Sequence, residues 1–243
     1  HIYDLSRQRA AKGGHEMPNF EAFWEAGRVD LSPPEEPSIF MAGFRADPVA
    51  EPLATPTGKL EIWSDAIADF GYDDCPGHPM WFEPKEWLGA ELAETYPLHL
   101  VSNQPVTRLH SQLDNGIVSR ESKVAGREAA TLHPDDAAAR GVSDGDVVRL
   151  FNGRGQCLAG AVISDAVRRG TVQLPTGAWY DPVEPGQIGS LDKHGNANVL
   201  TRDAGTSSLA QGPSAHSCLV EVEAYKGTPP PVTAFTPPPI RKA

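Results

Sequence analysis

Turn-forming residues set the first limit on this fold. The chain carries 23 glycines and 23 prolines among 243 residues, against the roughly 12% of such residues in an average soluble chain. About one position in five therefore ends a helix or turns a strand. Such punctuation leaves room for short strands and tight turns but for few long helices. Hydrophobic residues still make up 40%, enough for a core at this length. By pattern alone the fold is mainly β with short helices, a compact barrel or a β-sandwich.

Along the chain, residues 1–30 read as a short helical segment. Phe20, Phe23 and Trp24 share one face, Pro18-Asn19 start it and Gly27 ends it. Residues 31–58 are irregular, broken by Pro33, Pro34, Pro37, Pro48, Pro52 and Pro56. Phe40 and Phe44 suggest an arm that packs. Lys59–Ser64 alternates as a strand, 65–70 reads as a helical turn and Pro84–Leu92 as a short helix. Tyr96–Ser102 is a buried strand. Pro134 and the two acids after it open a helix that Gly141 stops. Strands follow at Asp146–Phe151 and Gln156–Ser164, joined by a two-residue Asn152-Gly153 hairpin. Two more lie at Thr171–Leu174 and Ser217–Glu223. The proline-rich tail from Gly227 is expected to be extended and partly disordered.

A net charge of −11 with no basic stripe argues against a nucleic-acid partner. Cys75, Cys157 and Cys218 are widely spaced, outside any CxxC, and read as small core or surface residues rather than metal ligands. No apolar run reaches the ~20 residues of a membrane helix. The chain starts at His1, as a mature or truncated polypeptide would.

Familiar catalytic signatures (GxSxG, HExxH, the Walker phosphate loop, GxGxxG) are absent, and Asn152 to Gly155 reads as a hairpin. Three polar segments stand out instead. Ser102 to Gln112 follows a buried strand and gathers Ser102, Asn103, Gln104, Thr107, Arg108, His110, Ser111 and Gln112, the donors and cation that a phosphate and a polar heterocycle need. Pro175 to Tyr180 ends a strand with Gly177 and then Trp179 and Tyr180, a pocket lining or the finish of a core. His194 to Thr201, with Ala204 to Gly212 after it, offers Asn196, Asn198, Gln211 and Gly212. Amide side chains satisfy both donors and acceptors of a flat heterocycle, and small residues allow close approach. The acidic pairs Asp73-Asp74 and Asp135-Asp136 read as turn or helix-start residues.

These segments carry a resemblance. LHLVSNQPVTRLHSQLDNG (Leu98–Gly116), the stretch from Gly126 to Pro182, and HGNANVLTRDAGTSSLAQG (His194–Gly212) resemble the bis-molybdopterin guanine dinucleotide oxidoreductases of the dimethyl sulfoxide reductase family. The biotin sulfoxide, trimethylamine N-oxide and methionine sulfoxide reductases are closest. TPTGKLEIWSD and FGYDDCPGHPMWFEP resemble the segment leading into that domain. Gln104 stands where some relatives have His, which leans the match toward the biotin and methionine sulfoxide branch.

The resemblance implies a six-stranded double-psi β-barrel over residues 95–225. The end of the upstream catalytic domains (1–94), an irregular packing segment, precedes it, and an extended tail (226–243) follows. It implies molybdenum and bis-molybdopterin guanine dinucleotide as cofactors of the intact enzyme. Ser102, Asn103, Gln104, Arg108, His110, Ser111, Gln112, Asn196, Asn198, Gln211 and Gly212 would hold pterin and phosphate groups, with Gly177, Trp179 and Tyr180 beside them. The metal ligand would lie in earlier domains, so no residue of this chain is a catalytic or metal-ligand candidate. The implied function is the cofactor-binding C-terminal portion of a reductase that removes oxygen from S-oxides or N-oxides. Its partners would be the upstream domains, or a partner chain carrying them, and a small oxide substrate. The alternative is a stand-alone or split-chain cofactor-binding module.

Overall fold

A computed structural model describes residues 2–31 and 38–237. The chain divides into two compact units, His1–Glu61 and Ile62–Ala243. The residues before the barrel therefore split at 61, with 62–94 clustering with the barrel rather than with the arm.

In the first unit the expected helix is α2, Phe20–Ala26. Asn19 caps it by accepting from the Ala22 N–H, and Gly27 closes it at φ 72°. Sequence periodicity missed α1, Ile2–Lys12, because most of its residues are polar and it shows no apolar stripe. Its one aromatic, Tyr3, stacks on Phe23 at 4.7 Å and meets Phe20 edge-on at 5.6 Å. A short helix, α3 (Ala42–Ala46), interrupts the irregular stretch. Phe40 is 84% exposed and Phe44 is half-buried, so the described residues leave the Phe40 ring uncovered. Residues 32–37 lie outside the described residues.

Two local expectations fail. Lys59–Ser64 forms no strand. It has the alternation but no neighbouring ladder, and Leu60 and Ile62 stand exposed. A 3₁₀ turn at Glu91–Glu94 replaces the Pro84–Leu92 helix. Glu86 is drawn into the barrel instead, pairing both carboxylate oxygens with Arg154 at 2.6 and 2.9 Å and accepting from the Leu219 N–H at 2.9 Å. The 65–70 turn appears as α4, Asp65–Ala68, capped by Ser64.

The six strands are β1 (Leu98–Val101), β2 (Ala129–Leu132), β3 (Val147–Phe151), β4 (Gln156–Ile163), β5 (Thr171–Gln173) and β6 (Leu219–Ala224). They close in the order β1-β5-β2-β4-β3-β6, so the sheet has no free edge. Two pairs, β1 with β5 and β2 with β4, are parallel and need crossover connections. The barrel bears out the mainly β, six-stranded reading, and the sandwich is set aside. Buried positions alternate along β1, β2 and β3. Leu98, Leu100, Ala130, Leu132, Val148, Leu150, Val172, Val220 and Val222 fill the interior. Strand β2 escaped the pattern reading because Ala-Ala-Thr-Leu carries little β-propensity; pairing on both sides makes it a strand.

Besides α4, this unit holds the short helices α5 (Ile117–Glu121) and α6 (Pro134–Ala138), the latter being the expected one. The β3–β4 hairpin exists, but its turn centres on Gly153-Arg154. The Asn152 N–H donates to the Gly155 carbonyl at 3.1 Å, while the Asn152 side chain bonds the Leu200 and Leu219 carbonyls. All three cysteines are free, and Cys157 and Cys218 are buried.

The described tail is extended but fastened. Arg127 donates to the Pro230 carbonyl at 2.6 Å, and Asp181 accepts from the Thr233 N–H and hydroxyl, each at 2.6 Å. Over 227–237 the tail is ordered rather than disordered as expected; residues 238–243 lie outside the described residues. No described helix is long and apolar enough to cross a membrane.

Strand polarity decides where a site can form. The C-terminal ends of β1, β3 and β5 and the N-terminal ends of β2, β4 and β6 lie at one mouth of the barrel. All three polar segments singled out in the sequence leave from, or return to, that mouth.

Candidate cofactor site at the barrel mouth

The loop after β1 is built around a buried ion cluster. The side chains of Arg108 and Asp114 are fully buried, and those of Lys123 and Glu128 are nearly so. Lys123 Nζ lies 2.8 Å from both Asp114 and Glu128, and Arg108 Nη2 lies 3.0 Å from Glu128. Two cations thus face two anions, the balance that makes burial of four charges tolerable. Burial alone would raise the Asp114 carboxyl. The hydrogen bonds from Lys123 and from the Trp179 backbone N–H, with the charges of Lys123 and Arg108, outweigh it and hold the group below its ordinary value.

Arg108 differs from its expected role. Its Nε donates to the His110 carbonyl, Nη1 to Ser119 and Glu128, and Nη2 to Glu128 and the Thr176 carbonyl. Those five bonds match its five N–H donors, leaving none to offset a phosphate. Arg108 is a tie between loops: it reaches from the turn at His110 to the end of β5.

The second loop is held against the first. Gly177 sits at φ 94°, and a Cβ there would lie 1.9 Å from the His110 carbonyl oxygen, so only glycine permits this approach. The Trp179 indole N–H donates to the Ser111 carbonyl at 2.8 Å, and its backbone N–H donates to Asp114 at 2.9 Å. Gln104 bridges its own loop, its amide 2.8 Å from His110 Nδ1 and its carbonyl accepting from the His110 N–H. His110 is held at φ 50°, an uncommon conformation for a non-glycine residue. Tyr180 is half exposed.

The third segment turns about Asp192, which sequence reading missed. Its fully buried carboxylate accepts from the backbone N–H groups of Asp181, His194, Gly195 and Asn196 at 2.7 to 3.2 Å. The only sequence signal was an Asp shortly before Gly195-Asn196, a pattern suited to side chain-to-backbone turns. Asn196 accepts from the Asn198 N–H and starts a 3₁₀ turn. His194 is also fully buried. Its Nδ1 lies 3.0 Å from the Trp179 carbonyl; a carbonyl only accepts, so Nδ1 bears the proton. Burial, and then the charge of Lys123, lower the pKa of this imidazole, which leaves Nε2 a bare acceptor. Gln211 bonds the Ser207 carbonyl within its own loop, and that loop is tied to Asp74 through Ser208. The structure therefore brings together 102–112, 176–180 and 192–198, but shows no such tie for Gln211 and Gly212.

Four buried polar atoms at this mouth, Asn103 Oδ1, Thr107 Oγ1, Arg127 Nε and His194 Nε2, have no hydrogen-bond partner among the described residues. Native proteins rarely leave such atoms unmatched without a reason. Ser111, Gln112 and Asn198 are exposed, and Ser102 is half-buried. Donors and acceptors at an open mouth, with flat aromatic and glycine surfaces beside them, suit a polar heterocycle bearing phosphates. Among the described residues, no three His, Cys, Asp or Glu side chains gather in a group able to hold a metal ion.

Residues 98–219 match the molydopterin dinucleotide binding domain. The chain belongs to that family. The chain is 50% identical over 240 residues to the dimethyl sulfoxide/trimethylamine N-oxide reductase of Rhodobacter capsulatus, covering 98% of this chain and 29% of that protein. It is 47% identical to the biotin sulfoxide reductase of Cereibacter sphaeroides, covering 93% of this chain and 30% of that one. The chain thus spans under a third of the length of these relatives. Among solved structures, acetylene hydratase from Pelobacter acetylenicus matches 72% of this chain and 24% of its own with a TM-score of 0.58. At 23% identity that likeness shows a shared fold alone. Family membership implies a molybdopterin dinucleotide cofactor, and the unmatched polar atoms at the mouth fit one.

Proposed function

We propose that this chain is the cofactor-holding C-terminal portion of a molybdenum reductase that removes oxygen from S-oxides or N-oxides, such as biotin sulfoxide, methionine sulfoxide or trimethylamine N-oxide. The observation that carries the reading is the mouth itself. Three loops far apart in sequence are tied into one surface, and acceptors are left unmatched within it. Relatives named for dimethyl sulfoxide, trimethylamine N-oxide and biotin sulfoxide reduction support the substrate class.

When bound, bis-molybdopterin guanine dinucleotide with its molybdenum would supply the two-electron chemistry of oxygen removal. The part played by this chain is binding and orientation. Asn103, Thr107, Ser111, Gln112 and Asn198 would meet the polar edges of the pterin and guanine, and Trp179 and Tyr180 would offer flat faces. Gln104 and Arg108 act behind them, fixing His110. Gln211 and Gly212 would join from the loop tied to Asp74 if upstream domains press that loop inward. The upstream domains of the same enzyme, or a partner chain carrying them, would complete the cage.

The test uses the intact protein that carries this chain. Molybdenum and pterin are measured as purified, and turnover is followed with a redox dye against biotin sulfoxide, methionine sulfoxide, trimethylamine N-oxide, formate and nitrate. Reduction of S- or N-oxides with both cofactor components present supports the reading. Turnover of formate or nitrate alone sinks it. Cofactor bound with no turnover of any of them would favour a binding module without activity of its own.

A further inference from the structure

After β6 the chain doubles back as a strap to the barrel mouth, fastened by contacts that periodicity in the sequence could not reveal. Arg127, buried beside the start of β2, donates to the Pro230 carbonyl at 2.6 Å. Asp181 accepts from the Thr233 N–H, the Thr233 hydroxyl and the Ala234 N–H at 2.6, 2.6 and 3.0 Å. Lys193 Nζ lies 2.8 Å from the Thr233 hydroxyl and 3.1 Å from Asp181. Asp181 directly follows Tyr180, and Lys193 directly precedes His194. The clasp thus grips two of the site segments at their roots.

One turn further on, the Phe235 ring meets both site aromatics edge-on: Trp179 at 5.6 Å and 68°, His194 at 4.9 Å and 90°. Arg120 and Lys123 stand over the same ring at 5.7 and 5.9 Å. Trp179 is held on its other sides by Ser111 and Asp114, and its carbonyl holds His194. Phe235 is the piece of the chain that packs against both members of that pair.

We propose that Thr233–Phe235 is a positioning element of the cofactor site: the clasp on Asp181 seats the strap, and the Phe235 ring fixes Trp179 and the buried His194 against each other. The inference rests on the cofactor reading above. Aromatic rings placed edge-to-face have a preferred geometry, so one ring locks two others without touching the cofactor. Removing the ring opens a gap beside an imidazole whose Nε2 has no partner. Water then enters, and His194 can rotate away from the Trp179 carbonyl. A site whose supporting residues are loosened in this way holds its ligand less well.

Four proteins are compared: the parent, Phe235→Ala, Phe235→Tyr, which keeps the ring, and Thr233→Val, which removes only the clasp hydroxyl. One readout is the His194 imidazole resonance of the 243-residue chain with ring-labelled histidine. The other is the pterin retained per protein by the intact enzyme after gel filtration. In Phe235→Ala the His194 resonance shifts, and retention falls roughly tenfold, the scale of substitutions behind bound metals. Phe235→Tyr retains pterin as the parent does, and Thr233→Val falls between. Retention in Phe235→Ala equal to the parent overturns the inference, whatever the resonance does, and leaves the cofactor reading standing. Retention lost equally in Phe235→Tyr and Phe235→Ala also overturns it. If Phe235→Ala fails to fold, Thr233→Val decides, and parent-level retention there counts against the clasp. A parent protein without pterin sinks the cofactor reading and this inference together.

Discussion

Glu128→Gln is the sharpest test of how the site is held. The substitution keeps the shape and removes one charge from a buried set of two cations and two anions. The backbone is unaffected: the residue-128 N–H still donates to the His194 carbonyl, and its carbonyl still accepts from Gly160. The side chain is the difference. Glu128 takes Arg108 Nη2 at 3.0 Å, Arg108 Nη1 at 3.5 Å and Lys123 Nζ at 2.8 Å. A glutamine amide, turned either way, sets an NH₂ donor against Arg108 or Lys123 and leaves one positive charge unbalanced. Breaking a buried pair costs about 3–5 kcal/mol, and the remaining amide oxygen recovers part of it, so we expect a loss of about 2–4 kcal/mol. That is on the order of a hundredfold in the folding equilibrium, and a sizeable share of a typical total of about 5–15 kcal/mol.

Urea unfolding of the 243-residue chain reads this as a lower midpoint at unchanged slope. Lys123→Met in the Glu128→Gln background restores one cation against one anion. The double variant should regain at least about 1 kcal/mol relative to the sum of the singles. A Glu128→Gln loss under about 1 kcal/mol, or strict additivity in the double variant, would refute the argument that charge balance holds this loop. The acid limb offers a second check. Asp114 is held below its unfolded value of 3.8, so its contribution is complete above that value and is lost as pH falls from there through the folded pKa. Asp114→Asn should flatten that part of the stability–pH curve.

Gly177→Ala forces a Cβ to within 1.9 Å of the His110 carbonyl at a φ of 94°. We expect about 3 kcal/mol or more of destabilisation, read by thermal unfolding, together with loss of pterin from the intact protein. Burial pushes the Cys157 thiol well up and Cys218 to about 11. Iodoacetamide at pH 8 should therefore label Cys75 alone until denaturant is added, as peptide mass mapping would show. Glu86→Gln removes the bidentate partner of Arg154. It should cost about 1–3 kcal/mol and speed limited proteolysis within 84–92, while proteolysis at the parent rate would contradict the clamp.

Much of the barrel was legible because its strands alternate and its turns carry Gly and Pro. Asn19 and Gly27 bracket α2 as read, and Pro134 opens α6 as read. What stayed hidden depended on distant partners. Ala129–Leu132 becomes a strand only because β4 and β5 flank it, and Lys59–Ser64 fails to become one because nothing does. The polar loops that gather at the mouth stood out in the sequence through their density of amides and hydroxyls, a local property. The roles of Arg108 and Asp192 were not, since a buried charge is defined by what surrounds it. Arg108 looked like a phosphate ligand because sequence shows a cation but not Glu128, twenty positions away, that occupies it. Thr233 and Phe235 lay in a stretch whose prolines suggested only an unattached tail.

The closed strand order also governs how such a domain comes into being. Because β6 lies between β1 and β3, the cylinder cannot shut until the last strand of the barrel has left the ribosome. The contacts that shape the mouth span 65 residues from Asp114 to Trp179 and 68 from Arg108 to Thr176. Contacts so distant along the chain make for slow folding. A nascent chain therefore presents no finished mouth until synthesis has passed Ala224, and on the proposed function a cofactor held by these loops would be taken up only after that point. A frameshift ahead of Leu219 would then leave the mouth as incomplete as a lesion within the loops themselves.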